Sequence, residues 1–337
     1  MSIVHVAAGL IWRRGRVLIC KRGPSKANSH LWEFPGGKLE AGESAPECLV
    51  RELKEELGIT IVADCQIAQG QDILPDGRQL VFHFVQGYLP QGEPQCTEHE
   101  ALCWARPQAL DQFRFCPADA QLAAQLAKEP YWEHFFWDFD GTLMDTYPTM
   151  SAAFQKALSA LGHETPLNEV LSRIKISVAS ACQHYSEKFS LDAAAIMAQY
   201  RYFEGQLTPA ALPYPDMAEA LTLGKRYHIS QHLYTHRSRK ALDYLQKHLD
   251  VALFEGIVTR EDGYPAKPAP DALKALMARA NAQPRTCLMI GDRDIDVQAG
   301  LNAGMCGCLF DPDGFYASFD APYRVRSFRM FRERFVP

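Results

Sequence analysis

The sequence has no CxxC pair and no dense cysteine spacing; its ten cysteines, at positions 20, 48, 65, 96, 103, 116, 182, 287, 306 and 308, are scattered along the chain. That excludes a disulfide-stapled scaffold and suits a reducing compartment. No apolar run approaches the length that spans a bilayer. The first such run, Ile3 to Trp12, follows no basic segment and meets Arg13, Arg14 and Arg16 directly, so it reads as a strand entering a turn rather than a signal peptide. A soluble, cytoplasmic protein with no membrane partner is expected. Positive charge is also short: 35 Lys and Arg stand against 40 Asp and Glu, a net charge of -5, which leaves no basic footprint for a nucleic-acid polymer. Any acidic substrate must be met locally. Internal repeats and low-complexity segments are lacking as well.

What is present suffices for two ordinary cores: 337 residues, 47% of them hydrophobic. The fold class is α/β throughout. Strand-like runs at Val4 to Ile11, Arg16 to Cys20 and Leu80 to Tyr88, with helices near Glu47 to Leu57 and Ala118 to Ala127, predict a small mixed domain over residues 1–130. The helical pattern stops at Lys128-Glu129-Pro130, and the apolar run Phe135 to Phe139 opens a second domain, 133–337. Helical periodicity fills about 147–215. Strands at Ile229 to Tyr234, Phe254 to Val258, Cys287 to Ile290 and Cys306 to Phe310 then alternate with helices, as in a parallel sheet. The basic, aromatic stretch Tyr323 to Pro337 receives no role.

In the first domain a glycine-rich segment, Gly36 to Glu43, runs into a helix that Ser44 and Glu47 cap as a capping box and that Gly58 closes. Glu52, Glu55 and Glu56 sit at i, i+3 and i+4, on a different arc from Leu49, Val50, Leu53 and Leu57. Such a run is ordinarily a solvated helix face. Like charges at i, i+4 cost about 0.2–0.5 kcal/mol, however, and a hard divalent cation offsets that cost. The adjoining glycines admit the backbone close to a diphosphate. Gly37, five residues, Glu43, seven residues, then Arg51-Glu52-Leu53-Lys54-Glu55-Glu56-Leu57-Gly58-Ile59 resembles the Nudix box at every defined position. The likeness to MutT-type nucleoside triphosphate diphosphohydrolases extends over about residues 3–127. It implies a Nudix α/β/α sandwich with a mixed sheet. It also implies Glu52, Glu55, Glu56, Glu98 and Gly37 as the metal site, Glu52 or a neighbour as base, Arg51 orienting the glutamates and Glu43 in support. Glu100 competes with Glu98 for its place.

Substrate contacts are sought at Lys21 and Arg22 for phosphates, at Phe34 for stacking on a base, and at Asp119 for a hydrogen bond from a base amino group. Phe34 reads equally well as core, and Asp119 as a plain helix N-terminal residue.

In the second domain Asp138 and Asp140 end an apolar strand, Thr235 ends another, Lys267 precedes Pro268 in a loop, and Asp292 to Asp296 follow a third strand. Ligands bind at that edge of open α/β sheets. The ordered set resembles the haloacid dehalogenase superfamily over about residues 134–315. The resemblance implies a Rossmann-like parallel-sheet core with a helical cap at about 147–215, Asp138 as nucleophile, and Asp140 as general acid and later base. Thr235 and Lys267 would hold the phosphoryl oxygens. Asp138, Asp292 and the Asp140 carbonyl would bind metal, with Asp296 supporting them. The family commonly has Asn after the motif Thr; this chain has His236 and Arg237.

The expectation is therefore a bifunctional hydrolase with Mg²⁺, or alternatively Mn²⁺, in both domains. One half would convert a non-standard or oxidised nucleoside triphosphate to its monophosphate and pyrophosphate, as in nucleotide-pool sanitation. The other would hydrolyse a phosphomonoester, either that product or an unrelated sugar phosphate or phosphoglycolate. A further alternative makes one half a regulatory ligand-binding module. The sequence leaves the oligomeric state open.

Overall fold

The computed structural model describes residues 3–73, 77–207 and 210–337. The chain divides into two compact units, Met1–Tyr131 with Arg324–Pro337, and Trp132–Tyr323.

The first unit is built on a mixed sheet. The strand Ile3–Arg13 runs parallel to Gln79–Tyr88 and antiparallel to Arg16–Lys21 and Gly36–Lys38, and Val62–Ile73 flanks Gln79–Tyr88. Side chains alternate between the two faces of a strand. Accordingly Ala7 and Ile11 pack with Leu49, Leu53 and Leu57 of the helix Ala45–Leu57, whereas Trp12 points to the other face. There the helix Phe328–Phe335 covers it: the Arg334 guanidinium lies 3.6 Å from the Trp12 ring centroid and pairs with Glu129 at 2.5 Å.

The domain boundary expected from sequence therefore needs correction at its far end. Residues 324–337, assigned to the second domain, pack with the first. The physical reason lies in an amphipathic helix whose Phe328, Met330, Phe331 and Phe335 are buried, on a sheet face that the helix Ala45–Leu57 leaves to others. The helix Ala45–Leu57 itself ends as expected, with the Ser44–Glu47 capping box at its start and Gly58 at φ 66° closing it.

The second unit has a parallel sheet. Its strands run in the order Phe254–Val258, Ser230–Tyr234, His134–Trp137, Cys287–Gly291, Cys306–Phe310, so the strand bearing the first acidic motif is central. Four helices, Tyr147–Ala160, Leu167–Ile176, Val178–Phe189 and Ala193–Leu207, form a cap with its own core around Phe154, Tyr185, Ile196 and Tyr200. The short pairing of Met144–Asp145 with Leu212–Pro213 ties the two crossings between cap and sheet. Among the described residues no helix is long and apolar enough to cross a membrane.

Candidate active sites

In the first unit the glutamates of the Ala45–Leu57 helix surround Arg51. Its Nε and Nη2 reach the two carboxylate oxygens of Glu43 at 2.9 and 3.0 Å, and its Nη1 reaches Glu52 at 2.9 Å and Glu55 at 3.4 Å. Those bonds hold the Glu43 carboxyl down at about 2. Gly37 lets the Glu52 carboxylate lie against the backbone; a Cβ there would push that carboxylate aside. Glu56 is different: burial raises its carboxyl above the ordinary value. Lys26 stands between it and Glu98, at 4.0 Å from Glu56 and 2.9 Å from Glu98. The like-charge strain foreseen on this helix is thus partly relieved by two cations of the chain itself, Arg51 and Lys26. The two candidate acids are also told apart. Glu98 lies on the Glu56 side through Lys26, while Glu100 is drawn to Lys21 at 2.7 Å and His30 at 2.6 Å.

The candidate substrate residues are placed less openly than expected. Lys21 is engaged with Glu100, and Arg22 holds Glu33 and the Ala27 carbonyl. Phe34 is 3% exposed and packs in an aromatic cluster with Phe84 and Phe115. Asp119 is buried beside it, accepting the Phe34 N–H at 3.4 Å; burial, with the nearby Glu33 charge, pushes its carboxyl up to about 8. At neutral pH that side chain is a neutral acid able to donate as well as accept.

In the second unit Asp138, Thr235, Lys267 and Asp292 all stand at the C-terminal edge of the parallel sheet, delivered by successive strands or the loops after them. Lys267 Nζ binds Asp138 Oδ1, lies 2.8 Å from Asp296 and 3.1 Å from the Tyr234 carbonyl. Asp138, Asp292 and Asp296 form a buried group whose oxygens lie within 4.8 Å of one another; among the described residues it is the one such group of candidate metal ligands. Burial raises the Asp138 carboxyl to about 6 and, reinforced by Asp296, that of Asp292 to about 8, while Lys267 and Arg293 hold Asp296 low. Three buried acids thus face two cations. Asp138 Oδ2 is buried without a hydrogen-bond partner among the described residues. A hard divalent cation fits that cluster of acid oxygens, where it would bring the raised Asp138 and Asp292 values down, and that open oxygen.

Residue matches then decide the family. A model described as haloacid dehalogenase-like hydrolase matches residues 135–309, and a NUDIX domain model matches residues 3–126. The chain belongs to both families. Over the NUDIX part it is 38% identical across 124 residues to a CTP pyrophosphohydrolase of Escherichia coli, covering 36% of this chain and 90% of that protein. It is also 34% identical across 132 residues to an 8-oxo-dGTP diphosphatase of Haemophilus influenzae, covering 39% and 96%. Over the dehalogenase-like part, the structure of a HAD family hydrolase from Deinococcus radiodurans with bound phosphate and sodium superposes with a TM-score of 0.51 at 18% identity. It covers 60% of this chain and 93% of that one, a likeness of fold. Both families are hydrolases, NUDIX of pyrophosphate bonds and the dehalogenase-like family of phosphomonoester bonds, and both generally depend on divalent metals.

Several contacts around these sites carry no signal in the sequence. Tyr147, at the start of the first cap helix, donates its hydroxyl to Asp292 at 2.5 Å. His236, which replaces the family's Asn, accepts the Lys267 backbone N–H at 3.1 Å, and burial lowers its imidazole to about 4, so it remains the neutral acceptor this bond needs. Lys26 is 72 positions from Glu98, and only folding brings them together.

Proposed function

We propose that the NUDIX half hydrolyses a nucleoside triphosphate of non-standard or oxidised type to its monophosphate and pyrophosphate, and that the dehalogenase-like half removes phosphate from a phosphomonoester, the resulting nucleotide first among candidates. The observation that carries the second activity is the Asp138 carboxylate: one oxygen is fixed by Lys267 and the other is buried and open at the sheet edge.

Asp138 attacks the phosphorus, the bond from phosphorus to the ester oxygen breaks, and Asp140 gives its proton to that departing oxygen. Asp140 then takes a proton from water, whose oxygen attacks the same phosphorus and returns Asp138 as a carboxylate. Thr235 and Lys267 hold the phosphoryl oxygens. In the NUDIX half a water oxygen attacks an internal phosphorus, the bond to the bridging oxygen breaks, and a carboxylate of the Glu52, Glu55 and Glu56 set takes the water's proton. Arg51 aims those carboxylates and Glu43 fixes Arg51. Mg²⁺, or Mn²⁺ in its place, held by Glu52, Glu55, Glu56, Glu98 and the Gly37 carbonyl in one site and by Asp138, Asp292 and the Asp140 carbonyl in the other, would supply charge for the departing groups. Asp119, a neutral acid beside Phe34, would read the base, and Lys21 and Arg22 would meet phosphates after exchanging their present partners.

The relatives support the first half of this reading, since proteins named for CTP and 8-oxo-dGTP hydrolysis share its NUDIX part. The test is a nucleotide panel with Mg²⁺, with pyrophosphate and phosphate assayed separately for the parent, Glu52→Gln and Asp138→Asn. The serial scheme predicts that Asp138→Asn leaves pyrophosphate release intact and stops phosphate release from the monophosphate. Unchanged phosphate release in that variant would sink it.

A further inference from the structure

The pair that replaces the family's usual residue after Thr235 does more than fill space. Arg237 reaches from the sheet edge to two acids that come from different places. Its Nε–H lies 2.7 Å from both carboxylate oxygens of Asp140, and its Nη1 lies 2.8 Å from Glu204 on the cap helix Ala193–Leu207. The arginine backbone is itself fixed, with its N–H on Thr235 Oγ1 at 3.0 Å and its carbonyl accepting from the Arg260 N–H at 3.0 Å. The guanidinium lies 5.9 Å from the Phe139 ring centroid. All three charged side chains are mostly covered, at 16% exposure for Arg237, 26% for Asp140 and 22% for Glu204.

We propose that Arg237 is the positioning residue of Asp140 and that the cap's Glu204 sets Arg237, so that the proton donor is aligned when the cap lies over the sheet edge. This rests on the reading of Asp140 as that donor. A carboxyl that must aim one O–H at a leaving oxygen has free rotation about its side-chain bonds, and misplacement by about 1 Å is enough to cost on the order of 10²-fold in rate. One N–H straddling both oxygens fixes the plane of the group. A second N–H of the same rigid fork is held by Glu204, and moving the cap withdraws that anchor. Lysine cannot span both acids in one plane, which accounts for arginine here.

The role predicts a dependence on the leaving group that a role in phosphate binding or folding would not show. A p-nitrophenolate departs without a proton, whereas an alkoxide needs one. The measurement is kcat/KM, which stops at formation of the aspartyl-phosphate, for glycerol 2-phosphate and p-nitrophenyl phosphate with the full chain and Mg²⁺. Arg237→Gln should lower the alkyl value by about 10²-fold and the aryl value by less than about fivefold. Arg237→Lys should regain about tenfold of the alkyl loss. Glu204→Gln should lower the alkyl value by about three- to tenfold in the parent and by nothing further in Arg237→Gln, because the two act as one unit. Equal losses on both substrates, or additive losses for the two residues, would overturn the proposal. Asp140→Asn separates this from the reading beneath it. If its loss is confined to the alkyl ester while Arg237→Gln shows no such bias, only the positioning role falls; if Asp140→Asn is itself unbiased, Asp140 is not the donor.

Discussion

The two acid clusters handle charge in opposite ways. In the NUDIX unit the carboxylates range from open to partly covered, with Glu55 62% exposed but Glu52 16% and Glu56 18%, and their cations, Arg51 and Lys26, keep contact with water. In the dehalogenase-like unit Asp138, Asp296 and Lys267 have side chains no more than 4% exposed. Exposed carboxylates are hydrated and cost little to keep apart, so that site can gather around metal and substrate together. Buried carboxylates must be balanced before any ligand arrives. Lys267 is therefore as much a condition of the fold as of the reaction, whereas Arg51 organises charges that the fold would tolerate without it.

The largest effect should come from breaking the buried balance. Lys267→Met leaves Asp138 and Asp296 facing each other with Arg293 as the remaining nearby cation. Loss of one partner from a buried ion pair destabilises by about 3–5 kcal/mol. Phosphomonoester hydrolysis should fall by about 10³-fold with one preorganised donor gone. Calorimetry should show the transition of the dehalogenase-like unit moving down while pyrophosphate release persists. Equal damage to both activities would erase the contrast between the units.

The matching change on the exposed face is Glu52→Gln. Pyrophosphate release should drop by about 10²-fold as the base or ligand is lost. The unfolding temperature should barely move, since Glu52 keeps Arg51 as a neighbour and water close by. Circular dichroism melts read beside pyrophosphate assays check this. A melt shifted as far as that of Lys267→Met would show that the NUDIX acids are structurally committed after all.

Asp119 is the exception within the NUDIX unit, a buried acid with no cation bonded to it among the described residues, and it sharpens the comparison by pH. Its folded value near 8 lies above the ordinary carboxyl value. The unfolded chain therefore loses its proton first, and stability falls as pH rises from about 4 to about 8, then levels off. Asp119→Asn removes that slope. The variant should unfold at higher denaturant than the parent at pH 8, by on the order of 2 kcal/mol, and the two should converge towards pH 4. Urea melts at both pH values test it; parallel slopes would place the Asp119 charge in water.

Sequence showed most where one residue carries its own local physics. Ser44, Glu47 and Gly58 announce the ends of the Ala45–Leu57 helix because capping is a matter of neighbours. Asp138, Thr235 and Asp292 were readable because parallel strands deliver their last residues to one edge. Less visible was the strand Val62–Ile73, whose side chains, exposed or partly covered save for one that is buried, give little apolar alternation. Arg237, Tyr147 and Lys26 were hidden as partners for a different reason: each acts on an acid 72 or more positions away. The return of Phe328–Phe335 to the first unit is of the same kind, since Trp12 and Arg334 lie at opposite ends of the chain.

Lys26 offers the finest test of how an exposed cluster manages charge. Its ammonium stands between Glu56 and Glu98, so under the proposed ligand set it would compete with the divalent cation for the same two carboxylates. A unit charge at about 4 Å in a well-hydrated setting is worth a factor of about two to five in affinity. Lys26→Met should therefore lower the Mg²⁺ concentration that half-activates pyrophosphate release by about that factor, with the melt unchanged. Raised salt should shrink the difference, because screening acts on exposed pairs. The opposite shift, a higher Mg²⁺ requirement together with a raised KM for nucleotide, would mean that Lys26 leaves the glutamates to hold a substrate phosphate when the site fills. The exposed face would then trade its cations between acid and substrate, a freedom the buried Lys267 does not have.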